Sequence, residues 1–413
     1  MNKLYKQFVS VLATGSLLLS VVAPVSATTL EISGNGSSSD NDITFDVDQT
    51  TSVTQTNDAD VYNNIDAEAK TGGNDANDNT GGDVSIETGD ATTEVKAATT
   101  VNSNSASVDC CATQDVDVLI SGNGSDSDNT VDLDINQDSK SGTYVKQTNT
   151  ADVTNEVDAD AKTGWNDAED NTGGDVSIET GDAETSVTLS TTANANWAQV
   201  GDGGQGSAVS LKILGNGTHS DNDIDLDLDS LISVIQSNDA DVYNDVDANA
   251  KTGGNDANDN TGGDVSIETG DAETTVEVDN MVNFNWADVD CGCLFDVLGK
   301  IAGNGSDSDN TITADLYPEL FVDQDNTALG SGGLNNDIDA DAKTGHNDAE
   351  DNTGSVEGGD PSIETGDAES TVEVSNAGNS NVFGEDVPSD WPEFEFNFNL
   401  TLSWSQLMAL LGL

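Results

Sequence analysis

The chain alternates between two kinds of residue over long stretches. Val234, Gln236, Asn238, Ala240, Val242, Asn244, Val246, Ala248, Ala250 and Thr252 share one parity. Ser237, Asp239, Asp241, Tyr243, Asp245, Asp247, Asn249 and Lys251 share the other. Side chains alternate across a strand, so the pattern predicts a long β-strand with one small apolar-and-amide face and one acidic face. A helix would set Asp239 beside Val242 and Tyr243 and scatter carboxylates through its core stripe. A second run, Ala272, Thr274, Val276, Val278, Asn280, Val282, Phe284 and Trp286, predicts another strand, and Gly-rich turns separate the two.

This two-strand unit is written four times. Gly-Asn-Gly turns begin at Gly34, Gly122, Gly215 and Gly303, spaced 88, 93 and 88 residues apart. Ala-Lys-Thr-Gly closes at Gly72, Gly164, Gly253 and Gly345, and Ser-Ile-Glu-Thr-Gly-Asp-Ala ends at Ala91, Ala183, Ala272 and Ala368. Two copies carry four extra residues at different points, near Ser139–Gly142 and Gly330–Gly333, as loops on a repetitive scaffold do. The boundaries that follow are 28–119, 120–211, 212–299 and 300–386, with a tail at 387–413.

The fold expected is all-β, a β-solenoid of four repeats of about 90 residues. Inward Gln and Asn suit such a coil, because stacked amides can bond along its axis, whereas a sandwich core would leave them unpaired. Dividing each copy into roughly four rungs of about 22 residues gives about sixteen rungs and a rod about 75 Å long. Small β-sandwich domains in tandem are the alternative architecture.

Charge changes the picture of partners. The chain has 78 Asp and Glu against 11 Lys and Arg, a formal charge of −67, and no arginine. Such a surface repels nucleic acid and anionic lipid. High charge with few aromatics is also a signature of disorder, but strict alternation recurring at long period is not. Residues 1–27 read as an export leader: Lys3 and Lys6, a mostly apolar Phe8–Val22, then Val25-Ser26-Ala27 as a cleavage site. No other stretch reaches the 18 or so apolar residues of a membrane-spanning helix, so the mature chain is expected outside the cell or on its surface, with no span of its own.

The candidate chemistry is calcium. Asp126 and Asp128, and again Asp307 and Asp309, alternate carboxylates as calcium loops do. Asp75 and Asp78, Asp167 and Asp170, Asp256 and Asp259, and Asp348 and Asp351 recur in every copy. Calcium takes six to eight oxygens, which Asx-rich turns on adjacent rungs could supply; a solvated acidic face with Asx turns accounts for the same residues. Asn35, Asn123, Asn216 and Asn304 each open an Asn-x-Ser/Thr sequon and are expected to be turn residues at positive φ. Cys110, Cys111, Cys291 and Cys293 are disulfide candidates in an exported protein. In a sixteen-rung rod the two pairs stand about 40 Å apart, so bonding would be local or between molecules.

Catalysis finds little support. The two histidines, His219 and His346, lie in turns of different copies with no Ser or Cys nucleophile pattern beside them. Aromatics that could stack on sugar are Tyr62, Tyr144, Trp165 and Tyr243. The tail alternates Phe394, Phe396, Phe398, Leu400, Leu402 and Trp404 with polar residues, the pattern of a capping or docking strand.

Gln55-Thr56-Asn57-Asp58-Ala59, Gln147-Thr148-Asn149-Thr150-Ala151, Gln236-Ser237-Asn238-Asp239-Ala240 and Gln324-Asp325-Asn326-Thr327-Ala328 resemble the Gln-x-Gly-x-x-Asn-x-Ala style of curlin repeats. More broadly the chain resembles Asn/Thr/Gly/Asp-rich repetitive surface proteins of bacteria, over about residues 30–386. The resemblance implies an extracellular β-solenoid capable of self-association. The Gln-x-Asn spacing departs from the curlin pattern, and the far greater negative charge sets close stacking against repulsion. The function expected is a secreted, non-catalytic structural or adhesive surface protein that binds calcium and engages other surface proteins or glycans. The alternatives are a calcium-dependent glycan-binding module and, further off, a β-helical enzyme acting on polysaccharide.

Overall fold

The computed structural model describes residues 6–13, 18–21, 28–108, 115–136, 141–201, 208–289, 296–328, 333–354 and 360–384. All regular structure among them is strand. Strands β1 (Lys6–Ala13) and β2 (Leu18–Val21) precede the repeats. The first copy supplies β3 (Thr28–Ser33), β4 (Asp40–Val47), β5 (Thr50–Lys70), β6 (Val84–Thr88) and β7 (Ala91–Val108). The second supplies β8 (Val116–Ser121), β9 (Asp128–Ile135), β10 (Gly142–Lys162), β11 (Val176–Thr180) and β12 (Ala183–Val200). In the third, β13 (Ala208–Leu214) leads to β14 (Asp221–Lys251), which runs without a break, followed by β15 (Val265–Thr269) and β16 (Ala272–Val289). The fourth holds β17 (Asp296–Ala302), β18 (Asp309–Thr327), β19 (Leu334–Lys343), β20 (Ser362–Thr365) and β21 (Ala368–Phe383).

Every pairing is parallel, and within the repeats each joins a strand to its counterpart in another copy. Val53 pairs with Val145, Val145 with Val234 and Val234 with Val322. The four sheets run β3-β8-β13-β17, β4/β5-β9/β10-β14-β18/β19, β6-β11-β15-β20 and β7-β12-β16-β21, with β1 and β2 along the free side of β7. This is the parallel all-β class to which β-helices and solenoids belong.

The register corrects the size of the rung. One copy makes one complete turn, not four, so the described repeats stack four deep. At ~4.8 Å per step the backbones of the first and last turns are about 14 Å apart, while a strand of 31 residues covers about 100 Å of path. The body is wide and thin where a rod about 75 Å long was expected. Tandem sandwiches are not formed, since each sheet draws its strands from different copies.

Within a turn, β5 and β7 face each other, and the predicted inward parity fills the gap. Val234, Gln236, Asn238, Ala240, Val242, Asn244, Val246, Ala248, Ala250 and Thr252 are all buried. Separate apolar clusters lie along the turn. Leu133, Ile213, Leu226 and their neighbours close one end, and Val157, Val187, Val246 and Val276 pack nearer the other. In the return strand the parity switches at a residue the sequence reading missed. Asn102, Asn194, Asn283 and Asn379 all take positive φ (59°, 62°, 62° and 56°), a backbone that Asn tolerates better than most residues. Beyond this kink Asn285 and Ala287 face inward, while Phe284 and Trp286 turn to the other side, where Trp286 stacks on Trp197 at 5.1 Å.

Amide columns run up the interior. Asn57 donates to Asn149 at 3.0 Å, Asn149 to Asn238 at 3.0 Å and Asn238 to Asn326 at 2.9 Å. The facing column, Asn104 to Asn196 to Asn285 to Asn381, runs at 2.9 Å per step. The two interlock, for Asn149 also donates to Asn196 and Asn196 to Asn238, at 2.9 and 2.8 Å. The Gln column points the other way, Gln324 to Gln236 to Gln147 to Gln55, at 2.7 to 2.8 Å. The amides of these columns thereby find partners in the copies above and below them.

Truncation of Asn238 to Ala therefore orphans amides on both sides of it. The expected loss is about 3 kcal/mol or more of unfolding free energy, from ~1–3 kcal/mol per unpaired buried group. Urea denaturation checks this, with the outward Asp239→Ala as the control that should change stability little.

Candidate functional surface

The recurring landmarks turn out to be joints between turns of the coil. In Gly-Asn-Gly the first glycine takes the positive φ (68°, 63°, 66° and 69° at Gly34, Gly122, Gly215 and Gly303), not the Asn as expected. The Asn instead points inward: Asn123 donates to Asn216 at 3.1 Å and accepts from the Asn35 backbone N–H at 3.1 Å. The second glycine leaves no room for a side chain, since a Cβ on Gly217 would lie 2.5 Å from backbone atoms of Gly124 and Ser125. Ala-Lys-Thr-Gly and Glu-Thr-Gly-Asp meet in space. The Thr71, Thr163, Thr252 and Thr344 hydroxyls donate to the Gly89, Gly181, Gly270 and Gly366 carbonyls at 2.7 to 2.9 Å. The following Asp90, Asp182 and Asp271 each accept the backbone N–H of their counterpart in the next copy.

The metal candidates fall into two kinds of position. Asp75, Asp167, Asp256 and Asp348 form a column of parallel bridges in the loop after the long strand. Asp78, Asp170, Asp259 and Asp351 sit at φ of 59°, 55°, 55° and 51°, left-handed turn residues of the kind Asp fills readily. Asp126 and Asp307 are also left-handed, and the same place is taken by Ser38 and His219 in the other copies. The turn thus accepts Ser and His as well as Asp at this position. Asp128 and Asp309 open β9 and β18, in a column with Asp40 and Asp221. The pairs Asp126/Asp128 and Asp307/Asp309 belong to the second and fourth turns, so they do not meet. Among the described residues no three His, Cys, Asp or Glu side chains are grouped to hold a metal ion.

What the structure does assemble is a set of like-charged columns. Asp60, Asp152 and Asp241 stack on one another, as do Asp66, Asp158, Asp247 and Asp339. Partial burial, then the neighbouring carboxylates, push the Asp132, Asp152, Asp158, Asp225 and Asp256 carboxyls above the ordinary aspartate range. Glu169 is raised chiefly by Asp167. Lysines relieve this locally: Lys162 reaches Asp160 at 2.6 Å, Lys343 bonds Asp341, and Lys70 lies 5.9 Å over the Trp165 ring. Parity showed that acids face outward; only the in-register alignment shows which acid each one meets.

The remaining candidates scatter. Tyr62 and Tyr243 share a column interrupted by Thr154, Trp165 stands in the turn beyond Lys162, and Tyr144 is half-buried, so the aromatics form no common sugar platform. Both histidines occupy left-handed turn positions (φ 58° and 55°). Cys110, Cys111, Cys291 and Cys293 lie outside the described residues, as does the tail 387–413. The strand ends that lead to the cysteines, Val108 and Val289, align through Val200. These strand ends are two turns apart, about 10 Å.

No protein-family model, curated protein or solved structure matches this chain. Among the described residues no helix is long and apolar enough to cross a membrane.

A stability profile follows from the columns. A carboxyl whose folded pKa lies above its unfolded value, near 3.8, binds more protons in the native state. Stability from these groups is complete below the unfolded value and is lost as pH rises through the folded ones. Asp117 and Asp341, lowered by hydrogen bonds from Lys212 and Lys343, act in the opposite sense but are outnumbered. The contribution of these carboxyls to Tm is expected to be largest near the unfolded value, at about pH 4, and to decline as pH rises toward neutrality. Thermal melts by circular dichroism decide, and a Tm that rises with pH contradicts the assignment.

Proposed function

We propose that the chain is an exported, non-catalytic structural or adhesive protein of the cell surface. In this reading it is a β-solenoid whose four copies are one rung each. Its acidic faces gather divalent cations, calcium among them, and present a repeated surface to other surface proteins or glycans. The observation that carries this reading is the stacking of identical carboxylates from turn to turn, Asp66, Asp158, Asp247 and Asp339 among them, whose charge is held close together and partly buried. Closely spaced like charges concentrate counter-cations without a closed ligand cage. The repeated motifs support it as well, because each is used in bonding one copy to the next and none stands apart as an active centre would.

Melting the protein with about 5 mM calcium, with magnesium and with a chelator tests the cation half, because a ligand of the folded state raises Tm by mass action. Calcium and magnesium are both expected to raise it by several degrees; superimposable curves in all three conditions refute it. Removal of the leader is checked by mass. The exported protein should begin at Thr28, and a chain retained inside the cell with Met1 in place would contradict the surface reading.

A further inference from the structure

Among the described residues the fourth turn leaves the core open. Val372, Ile363 and Leu316 are 48%, 46% and 39% exposed, yet the residues they stack on, Val276, Ile267 and Leu228, are at most 1% exposed. These are core side chains with a neighbour on one side only. Strands β17 to β21 likewise pair only with the third copy, so one whole edge of every sheet is unpaired among the described residues. An edge of that length is a template for another strand, weakened at one place by Pro318, which has no N–H.

The amide columns say which strand fits. In the first three copies Asn41, Asn129 and Asn222 each donate to the Asn of the following copy at 2.8 Å, ending at Asn310. The Asn63 column ends the same way at Asn336, and the Asn57 column at Asn326. The fourth-copy end therefore presents amide donors with no following copy. The first-copy end presents Asn41, Asn57 and Asn63, whose counterparts elsewhere accept through Oδ1 from the copy before. The two ends are complementary to each other and not to themselves. Such a contact is head-to-tail, and translation without rotation to closure gives an open filament.

One stretch of the receiving edge is occupied. Lys6–Ala13 and Leu18–Val21 run parallel along β7, from Lys6 opposite Glu94 to Val21 opposite Val108. That is the side of β7 that the β21 of another molecule would need.

We propose that the fourth-copy end of this chain docks onto the first-copy edge of a second copy, in the register that joins its own repeats, and that the N-terminal segment on β7 blocks this joint until it is removed. The joint repeats the contact between the third and fourth copies, with the same apolar rows and amide columns. Acidic faces oppose it, so weakly acidic solution or divalent cations favour it. The proposal rests on the one-copy-per-turn geometry. It does not require the surface or calcium-binding roles, so it can fail while they stand.

The test uses the full 413-residue chain with a protease-cleavable linker between Ala27 and Thr28, followed by sedimentation velocity at about pH 5 and with magnesium. Before cleavage the protein should sediment as a monomer, and afterwards its weight-average mass should rise several-fold as linear species. The double variant Val372→Asp/Ile363→Asp, at sites already exposed, should retain its circular dichroism and stay monomeric after cleavage. Three results overturn the proposal. The cleaved wild-type chain stays monomeric; the double variant assembles as well as wild type; or assembly appears only when residues 387–413 are also deleted, which would make the tail the occupant of the open end.

Discussion

Each residue of a repeat lies directly above its own counterpart, and the rest of the structure depends on that in-register parallel stacking. A side chain that can bond to a copy of itself is rewarded at every step, and one that repels itself is penalised at every step. Asn and Gln belong to the first group, since an amide carries both a donor and an acceptor along the stacking axis. Asp and Glu belong to the second. The interior amide columns and the exterior acid columns are two consequences of one geometry.

That geometry also orders the turns. Where backbones must approach closely, glycine occupies the column, as in the second glycine of Gly-Asn-Gly. Where the chain must turn left-handed, the column holds Gly, Asn or Asp, with Ser38, His219, His346 and Trp165 as substitutes that the turn accepts. Acidic residues in such columns look like ligands in the sequence because they recur. In the structure they recur because the turn recurs. Their charge has a physical effect through proximity to the same residue one step away.

A stack of this kind is polar and open. Its amide bonds all run from one end toward the other in the Asn columns, and among the described residues its core rows stop without a terminal layer at the fourth copy. Stability and assembly are therefore linked: the contacts that hold the third copy to the fourth are the contacts the fourth offers outward. The electrostatic penalty, shared by every step, keeps both sensitive to protons and cations.

The alternation from Val234 to Thr252 determined, without any tertiary information, that this segment is a strand and which side faces the core, because side-chain period is a local property of extended backbone. The stacking of inward amides was legible for the same reason, once the copies were aligned. The circumference of a turn was not legible. Nothing local states whether Val234 stacks on a residue some 22 positions away or on Val145, and only the long-range register settles it. The kink at Asn283 was hidden because one left-handed residue reverses the parity beyond it without breaking the strand. The acids were visible as charges, but their mutual approach, and the nearness of the strand ends at Val108 and Val289, came from folding one copy onto the next.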